Sequence, residues 1–427
     1  MNARDYALSQ LDRLALPGWK PGAMRSRATP PADPRDLALA EQIRVGVIKN
    51  LGFLEFLIDH YSNHREKIDP LVRKILAVAM YQLRFLTRIP ASAAVDQAVE
   101  QVRRFGRPHA SGFVNAILRR ATREPDVPLA DEHADRRHYA MTVLSHPPEL
   151  FDRLAKLLGE EKAVEFCRHN NAEPPTLVRA FPSAAFPPAE LPSGVSIAPH
   201  EQPGMFVVSG AKRDLFARFA SEGIAQVQDA TAARVVEQMD LRPGQNVLDR
   251  CAGLGTKTLQ IREHLSDIGW IMAVDPSEPR CRGLRGLVAT RRLFNIAVVQ
   301  ASMLSQIREL QKPWFERILV DAPCSNSGVL ARRPEARYTQ NPQALQSLTT
   351  LQDQILDDCV PYLRAGGMLV YSTCSVWSEE NEQRVARFLT QHPQYEQLRA
   401  ESAWPSFETQ DPARYRDGGF FAVLRLR

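Results

Sequence analysis

The stretch from Asn246 to Thr258 reads NVLDRCAGLGTKT and decides the fold. A short apolar run before a charged residue is typical of a buried strand, and Gly253 and Gly255 allow the backbone to turn tightly before a helix. Because glycine has no side chain, a ligand can also approach the backbone of such a turn closely. This stretch therefore predicts a strand, a ligand-binding turn and a helix, in that order.

From this point on, short apolar runs alternate with helical stretches. The runs with strand character are WIMAVD, IAVVQ, RILVDAP, GMLVYSTC and FFAVLRL, within residues 270–426. This alternation predicts an α/β fold of the Rossmann type, with a doubly wound and largely parallel sheet. Ligands of such sheets bind beyond the carboxyl ends of the strands, which is where the glycine turn is expected to lie.

An acidic residue, Asp275, ends the second of these strands. A carboxylate in this position accepts hydrogen bonds from a ribose diol, so the turn and the carboxylate suit a nucleoside-type ligand. A phosphate-binding P-loop is not favoured, because Thr256 occupies the glycine position before Lys257. A dinucleotide fingerprint is not favoured either, because no third glycine opens the helix. A plain strand-to-helix turn remains the alternative.

Two further strands end in cysteine, the fourth at Cys324 and the fifth at Cys374. The chain has six cysteines and no CxxC pair, so we expect free thiols, with neither a disulfide framework nor a zinc ribbon. A free cysteine is more often a small buried hydrophobe than a catalyst. Two cysteines at corresponding strand ends, beside a turn that suits a nucleoside-type ligand, favour a catalytic role. A helix predicted to begin within residues 375–379 would favour a thiolate at Cys374.

A thiolate at this position suits methylation of carbon 5 of a cytosine. That carbon is a poor nucleophile, but addition of a thiolate to carbon 6 makes it enamine-like. A second polar group would assist loss of the C5 proton and of the thiol, and a carboxylate such as Asp321 would stabilise a protonated N3. The base must be unstacked to enter the pocket. On position and chemistry alone, Cys324 and Cys374 are equal candidates for the nucleophile.

The combination of DAPCSNSGVLARRP with YSTCSVWSEEN resembles the RNA (cytosine-C5) methyltransferases. This resemblance implies that Cys374 is the nucleophile and that Cys324 assists release of the methylated base. It also implies S-adenosylmethionine as methyl donor, Asp321 between donor and base, and Lys257 approaching the catalytic motif. The residues implied to bind the donor, with Asp275 on its ribose, are Cys251, Ala252, Gly253, Leu254, Gly255, Thr256, Lys257, Asp275, Ser302 and Asp321.

Two regions depart from the pattern of this family. Its first loop usually reads CAAPGGKT, whereas this chain reads CAGLGTKT, with Leu254 and Thr256 at the proline and second glycine positions. After the third strand this chain has Ser302, where the family usually has an aspartate near the adenine. A serine can hydrogen-bond there, but it supplies no carboxylate. Both departures concern the donor pocket rather than the reaction.

The first part of the chain differs in kind. Apolar residues at spacings of three and four predict a compact helical domain, and Asp69-Pro70 predicts a helix start. Residues 1–125 hold 20 Lys and Arg against 12 Asp and Glu, and residues 103–123 hold six arginines and no acid. This asymmetry suits a polyanionic partner such as nucleic acid. A solvated helix face is an equal alternative for the arginine-rich stretch alone.

IRVGVIKNLGFLEFLI and AVAMYQLRFLTRIPASAAVDQAVE are similar to the NusB-like domain of one bacterial branch of the family, the 16S ribosomal RNA methyltransferase B type, also called Sun or Fmu. The resemblance implies 16S rRNA, before full subunit assembly, as substrate and partner, and we expect a monomer. The implied domains are an all-α NusB-like RNA-binding domain at 1–128, a small α+β connecting subdomain at 140–223 and the methyltransferase domain at 224–427.

Two other hypotheses remain open. The same chemistry would serve another RNA such as tRNA, or the chain would be an RNA-binding assembly factor whose methyltransferase pocket has weakened. No metal is expected, since the histidines form no ligand-spaced cluster with the cysteines. No stretch approaches the roughly 18 apolar residues of a membrane helix, and the N-terminus lacks the apolar centre of a signal peptide. A cytoplasmic location is therefore expected.

Several side chains near the catalytic motifs are candidates for direct contact with RNA. Arg332, Arg333 and Arg337 follow the first motif and would bind phosphates, with a solvated loop as an equal alternative. Trp377 and Tyr338 would stack on a base or, equally, pack within the protein.

Overall fold

The computed structural model divides the chain into two compact units. The first comprises Met1–Ala172 and Arg333–Thr339, and the second comprises Glu173–Arg332 and Gln340–Arg427. Among the residues described, none of the helices combines the length and the apolar character that a membrane span requires. The division into domains at 1–128, 140–223 and 224–427 stays a prediction. The described residues are 2–14, 16, 19, 22, 29–63, 67–266, 268–307 and 313–427.

The first unit is built from helices, as predicted for the N-terminal region. Two of its elements are short 3₁₀ helices, at Pro108–Ala110 and Pro334–Thr339. The α-helices are α1 (Ala3–Leu11), α2 (Pro34–Lys49), α3 (Leu51–Tyr61), α4 (Pro70–Phe85), α5 (Ala91–Arg104), α6 (Ser111–Arg123), α7 (Arg136–Thr142), α8 (Pro148–Leu158) and α9 (Glu160–Asn171).

Helix α4 contributes most to the core of this unit, with 11 of its 16 residues buried. The predicted helix start is confirmed, because the Asp69 carboxylate accepts hydrogen bonds from the amides of Leu71 and Val72 at 2.9 and 3.2 Å. Lys74 is also buried, and its ammonium pairs with Asp12 at 2.6 Å. Because Asp12 directly follows α1, this ion pair ties the N-terminal helix to α4.

The second unit contains a small antiparallel sheet and a large mixed one. The small sheet has the order β2-β3-β1-β4, and helix α10 (Arg213–Ser221) packs beside it. Its strands are β1 (Thr176–Ala180), β2 (Ser196–Pro199), β3 (Met205–Ser209) and β4 (Ala225–Val227).

The large sheet has the order β10-β11-β9-β8-β5-β6-β7, and its five strands from β9 to β7 are parallel. All six strands predicted from the sequence are confirmed, whereas β10 was not predicted. The strands are β5 (Asn246–Asp249), β6 (Trp270–Asp275), β7 (Ile296–Gln300), β8 (Phe315–Asp321), β9 (Leu363–Thr373), β10 (Tyr395–Ala403) and β11 (Gly419–Leu426). The helices are α11 (Ala230–Glu237), α12 (Thr256–Leu265), α13 (Glu278–Thr290), α14 (Pro342–Cys359) and α15 (Glu382–Gln391).

The register of this sheet fixes where the polar side chains meet. Strands β8 and β9 pair in parallel, with Asp321 opposite Ser372. Ile318, Leu319 and Val320 are completely buried, so side chains on both faces of β8 pack in the core. Asp321 and Ser372 lie at the carboxyl ends, where the two neighbouring strands place them side by side.

A close approach between α3 and α7 makes one glycine of the first unit irreplaceable. A Cβ on Gly52 would lie 2.3 Å from the backbone oxygen of Met141, whereas one on Gly112 of α6 would have no atom within 4 Å. We expect Gly52→Ala to destabilise the protein by about 2–3 kcal/mol. Gly112→Ala should stabilise it by up to about 1 kcal/mol. Urea denaturation followed by circular dichroism measures both, and equal effects would contradict the packing argument.

Candidate active site

The glycine turn after β5 is bound directly to the carboxylate that ends β6. Gly253 and Gly255 have φ of +58° and +89°, a region that favours glycine. The amide of Gly253 donates to Asp275 Oδ2 at 3.0 Å, and the amide of Ser277 donates to Oδ1 at 2.8 Å. A Cβ on Gly255 would lie 2.3 Å from Leu284 Cδ1 of α13, so the turn lies directly on this helix.

The other predicted donor-binding residues lie around this turn. Cys251 and Ala252 are partly buried, and the side chain of Leu254 is 66% exposed above the turn. Thr256 begins α12. Ser302 is exposed in the 3₁₀ helix that follows β7, the strand paired with β6. The structure therefore gathers all of these positions at the carboxyl ends of three neighbouring strands.

An ion pair between Lys257 and Asp321 lies next to the turn. Lys257 Nζ is 2.6 Å from Asp321 Oδ2, and the Ser372 hydroxyl donates to Oδ1 at 2.7 Å. Burial works against the charge of Lys257, but the negative groups of Asp321 and Cys374 outweigh it and raise the pKa of Lys257. The lysine is therefore a cation that faces both the carboxylate and the Cys374 thiol.

The two candidate cysteines are in contact at the ends of β8 and β9. A hydrogen bond between their side chains, followed by burial, raises the pKa of Cys324 well above its ordinary value. Both side chains are partly exposed, unlike those of Cys167 and Cys359, where burial raises the pKa to about 12. A buried thiol with such a raised pKa, as at Cys167 and Cys359, is inert at neutral pH. Their contact and their partial exposure therefore distinguish Cys324 and Cys374 from Cys167 and Cys359.

The prediction of a helix that begins within residues 375–379 is wrong, because α15 begins only at Glu382. Side chains form hydrogen bonds with the backbone of residues 375–381 instead. The Ser375 hydroxyl accepts from the amide of Trp377 at 3.0 Å, and the Asn381 side chain donates to the carbonyl of Ser375 at 2.9 Å. Such local bonds compete with helix formation. A helix dipole therefore does not act directly on Cys374, and Lys257 is the positive group that faces it.

A cavity of about 100 Å³ lies beside Cys374, Lys257 and Asp321. Asp229 and Asp417, which were not predicted as site residues, also line this cavity. Asp417 accepts hydrogen bonds from Arg332 at 2.7 Å and from the Tyr415 hydroxyl at 3.1 Å. Burial, reinforced by the charge of Asp229, raises the pKa of Asp417 to about 7. The two acids are 188 residues apart, so local sequence carries no signal that the Asp417 amide donates to Asp229 at 3.1 Å.

Most of the predicted RNA-contacting side chains are engaged within the protein. Arg337 is 1% exposed and donates to the carbonyls of Asn170 and Lys49 at 2.6 and 3.1 Å. Trp377 is also 1% exposed. The phosphate-binding and base-stacking hypotheses for these two residues are therefore wrong.

The remaining three candidates differ from one another in their surroundings. The Tyr338 hydroxyl donates to the carbonyl of Ile48 at 2.9 Å, which supports the packing alternative for this tyrosine. Arg332 is occupied by Asp417. The side chain of Arg333 is 65% exposed, and it alone of these side chains is open to a phosphate.

Comparisons with known proteins agree with this fold and site. The family "16S rRNA methyltransferase RsmB/F" matches residues 236–424, and the NusB family matches residues 1–123. A ribosomal RNA small subunit methyltransferase B from Pseudomonas putida is 32% identical over 376 residues, which cover 84% of this chain and 83% of that protein.

Two solved structures share the fold. PH0851 has a TM-score of 0.75 at 22% identity and covers 92% of this chain and 91% of its own. A methyltransferase homologue from Pyrococcus horikoshii has a TM-score of 0.52 at 23% identity, over 67% of this chain and 97% of its own.

The class that this fold and site define is the S-adenosylmethionine-dependent RNA methyltransferases. Within it, the chain belongs to the 16S rRNA methyltransferase RsmB/F family and carries the NusB domain at its N-terminus. The resemblance inferred from the two cysteine motifs is therefore confirmed, and so is the predicted methyl donor of the class.

A buried acid under the site should make stability depend on pH. Burial raises the pKa of Asp249 from 3.8 to about 7, although the Thr258 hydroxyl donates to it at 2.6 Å. The folded protein thus binds this proton more tightly than the unfolded chain, and stability falls as pH rises from about 4 to about 7. Asp249→Asn lacks this dependence. Over that range we expect it to gain about 1–3 kcal/mol relative to wild type.

Urea denaturation at pH 4.5 and pH 7.5 measures this difference. Asp126→Asn, a substitution at an exposed acid, is the matched control and should show no comparable gain. A constant difference between Asp249→Asn and wild type would contradict the raised pKa.

Proposed function

We propose that this protein methylates carbon 5 of a cytosine in small-subunit ribosomal RNA through a covalent bond from Cys374 to carbon 6. The observation that carries the proposal is the meeting of Cys374, Cys324 and the Lys257–Asp321 ion pair at the ends of adjacent strands. A binding module has no need of two contacting thiols beside a buried cation. Covalent activation of a pyrimidine uses both.

The residues around the glycine turn fit S-adenosylmethionine. The Asp275 carboxylate suits the ribose diol, and the positive φ angles at Gly253 and Gly255 expose backbone to a ligand. Leu254 and Ser302 are exposed beside them and would contact the adenosine part. When bound, S-adenosylmethionine supplies an electrophilic methyl group.

Cys374 is the proposed nucleophile because Lys257 faces it. The lysine cation favours the thiolate, whose sulfur forms a bond to carbon 6 and makes carbon 5 nucleophilic. After methylation, water accepts the carbon 5 proton, the electrons of that bond form the double bond between carbons 5 and 6, and the sulfur–carbon 6 bond breaks to return the sulfur to Cys374 as a thiolate. Cys324 is placed to assist this release, since it contacts Cys374 and its raised pKa keeps it a thiol.

Asp321 is proposed to hold the pyrimidine edge. Its two oxygens are oriented by Lys257 and Ser372, and it lines the cavity beside Cys374. A carboxylate there stabilises the protonated N3 of the adduct. The base must leave its stack to enter this cavity, which favours a single-stranded or loop cytosine.

The N-terminal unit is proposed to bind the RNA backbone. Arg103, Arg119 and Arg123 are exposed on α5 and α6, within the stretch that contains no acid. Arginines on one surface supply sequence-independent affinity for phosphates. The choice of small-subunit RNA rather than tRNA rests on the family.

The cysteine roles are tested on unmodified 16S rRNA with labelled donor. We expect Cys374→Ala to abolish methyl transfer, because no thiol then reaches carbon 6. Cys324→Ala should accumulate a protein–RNA adduct that survives denaturation, because release is impaired. Cys359→Ala, at a buried thiol of the same chain, is the matched control and should methylate normally. Methylation by Cys374→Ala, or an adduct formed through Cys324, would reverse the assignment, and tRNA serves as the competing substrate.

Donor binding is measured by calorimetry without RNA. We expect Asp275→Ala to weaken S-adenosylmethionine about ten-fold or more, the cost of lost hydrogen bonds to a carboxylate. Glu278→Gln, at a nearby partly exposed acid, should bind within about two-fold of wild type, since an ion pair open to solvent contributes little. Absence of donor binding by the wild type would instead favour the assembly-factor hypothesis.

A further inference from the structure

Glu380 is a completely buried acid that belongs to no step proposed above. Its Oε1 accepts hydrogen bonds from the Ser325 amide at 2.8 Å and from Gln352 Nε2 at 3.1 Å. Its Oε2 accepts from the hydroxyls of Ser325 and Ser375, each at 2.5 Å. These four hydrogen bonds satisfy both oxygens of the buried side chain.

Three of the four donors to Glu380 come from the two loops that carry the cysteines, and the fourth, Gln352, lies on α14. Ser325 directly follows Cys324, and Ser375 directly follows Cys374. The same loops are also joined by the Ser327 and Ser375 hydroxyls, which are 2.9 Å apart. One carboxylate therefore fixes the position of each cysteine relative to the other.

The charges around the two thiols are of opposite sign. Lys257 faces Cys374, whereas the charge of Glu380 acts on Cys324 and adds to the rise in its pKa. The ionisable groups that face Cys324 are Cys374, Glu380 and Tyr371. Arg384, which acts on Tyr371, pairs with Asp353 at 2.7 Å, so its charge is largely neutralised there.

We propose that Glu380 is the positioning residue that gives the two cysteines different roles. It holds their loops in register and, by its negative charge, disfavours ionisation of Cys324, so that Cys374 serves as the nucleophile. The inference deepens the proposed function and rests on it for the chemistry that the two thiols perform. Glu380 itself touches neither RNA nor donor in this proposal.

The test is the rate at which each cysteine reacts with iodoacetamide, in the full-length protein without RNA or donor. Initial rates at substoichiometric reagent, from pH 6 to 10, are assigned to Cys324 and Cys374 by peptide mass spectrometry. In wild type we expect Cys374 to become reactive at lower pH than Cys324. In Glu380→Gln we expect Cys324 to react about ten-fold faster at pH 7.5, the effect of about one pKa unit.

Three comparisons separate charge from loss of structure. Glu380→Gln keeps the shape and leaves the serine hydroxyls free to accept from the amide. Glu382→Gln, at the exposed acid that begins α15, should leave both rates unchanged. Ser325→Ala removes one donor but keeps the charge, so Cys324 should stay slow.

Several outcomes would overturn the proposal. These are Cys324 reacting before Cys374 in wild type, an unchanged Cys324 profile in Glu380→Gln, or equal acceleration in Ser325→Ala. The order in which the two cysteines of the wild-type protein become reactive is measured without any variant, so it tests the proposal even if Glu380→Gln does not fold. Since the assay contains neither substrate, failure of the proposed methylation would leave its result unaffected.

Discussion

The ion pair between Lys257 and Asp321 is the interaction on which the site depends. It joins the first turn of α12 to the end of β8, 64 residues further along the chain, and the Ser372 hydroxyl adds the neighbouring strand β9. Because parallel strands present their carboxyl ends at one edge, three distant segments meet there without a long loop. The lysine cation faces the thiol of Cys374, which directly follows β9. Fold and electrostatics converge on one sulfur atom.

Much of this arrangement could be predicted from the sequence. Apolar runs indicated six strands of the large sheet, and the ends of β8 and β9 put Cys324 and Cys374 side by side. Such inferences succeed because a strand buried on both faces must be apolar throughout, so polar residues mark its end. Strand β10 escaped, because it lies at the sheet edge and reads YEQLRAESA with exposed polar residues.

The features that could not be predicted from the sequence involve polar side chains that are buried, although residues of their type usually lie at the surface. SVWSEENE contains three glutamates that look alike, yet Glu380 is buried and Glu382 is exposed. Arg337 and Trp377, which looked available for RNA, are each 1% exposed. The Ser375 hydroxyl, which accepts from the Trp377 amide, and the Asn381 side chain, which donates to the Ser375 carbonyl, hold this segment in a non-helical conformation. In each case a tertiary partner decides, and local periodicity carries no information about that partner.

The course of the chain after Cys324 limits how the protein can be divided. Residues Arg333–Thr339 belong to the first unit, although the residues on both sides of them belong to the second. No single cut therefore yields two complete pieces. A fragment that starts after residue 172 keeps Cys324 and Cys374. Arg337 and Tyr338 would lose their backbone acceptors in it, because those acceptors belong to Lys49, Asn170 and Ile48. Removal of the N-terminal helices would therefore leave a buried guanidinium without these backbone acceptors.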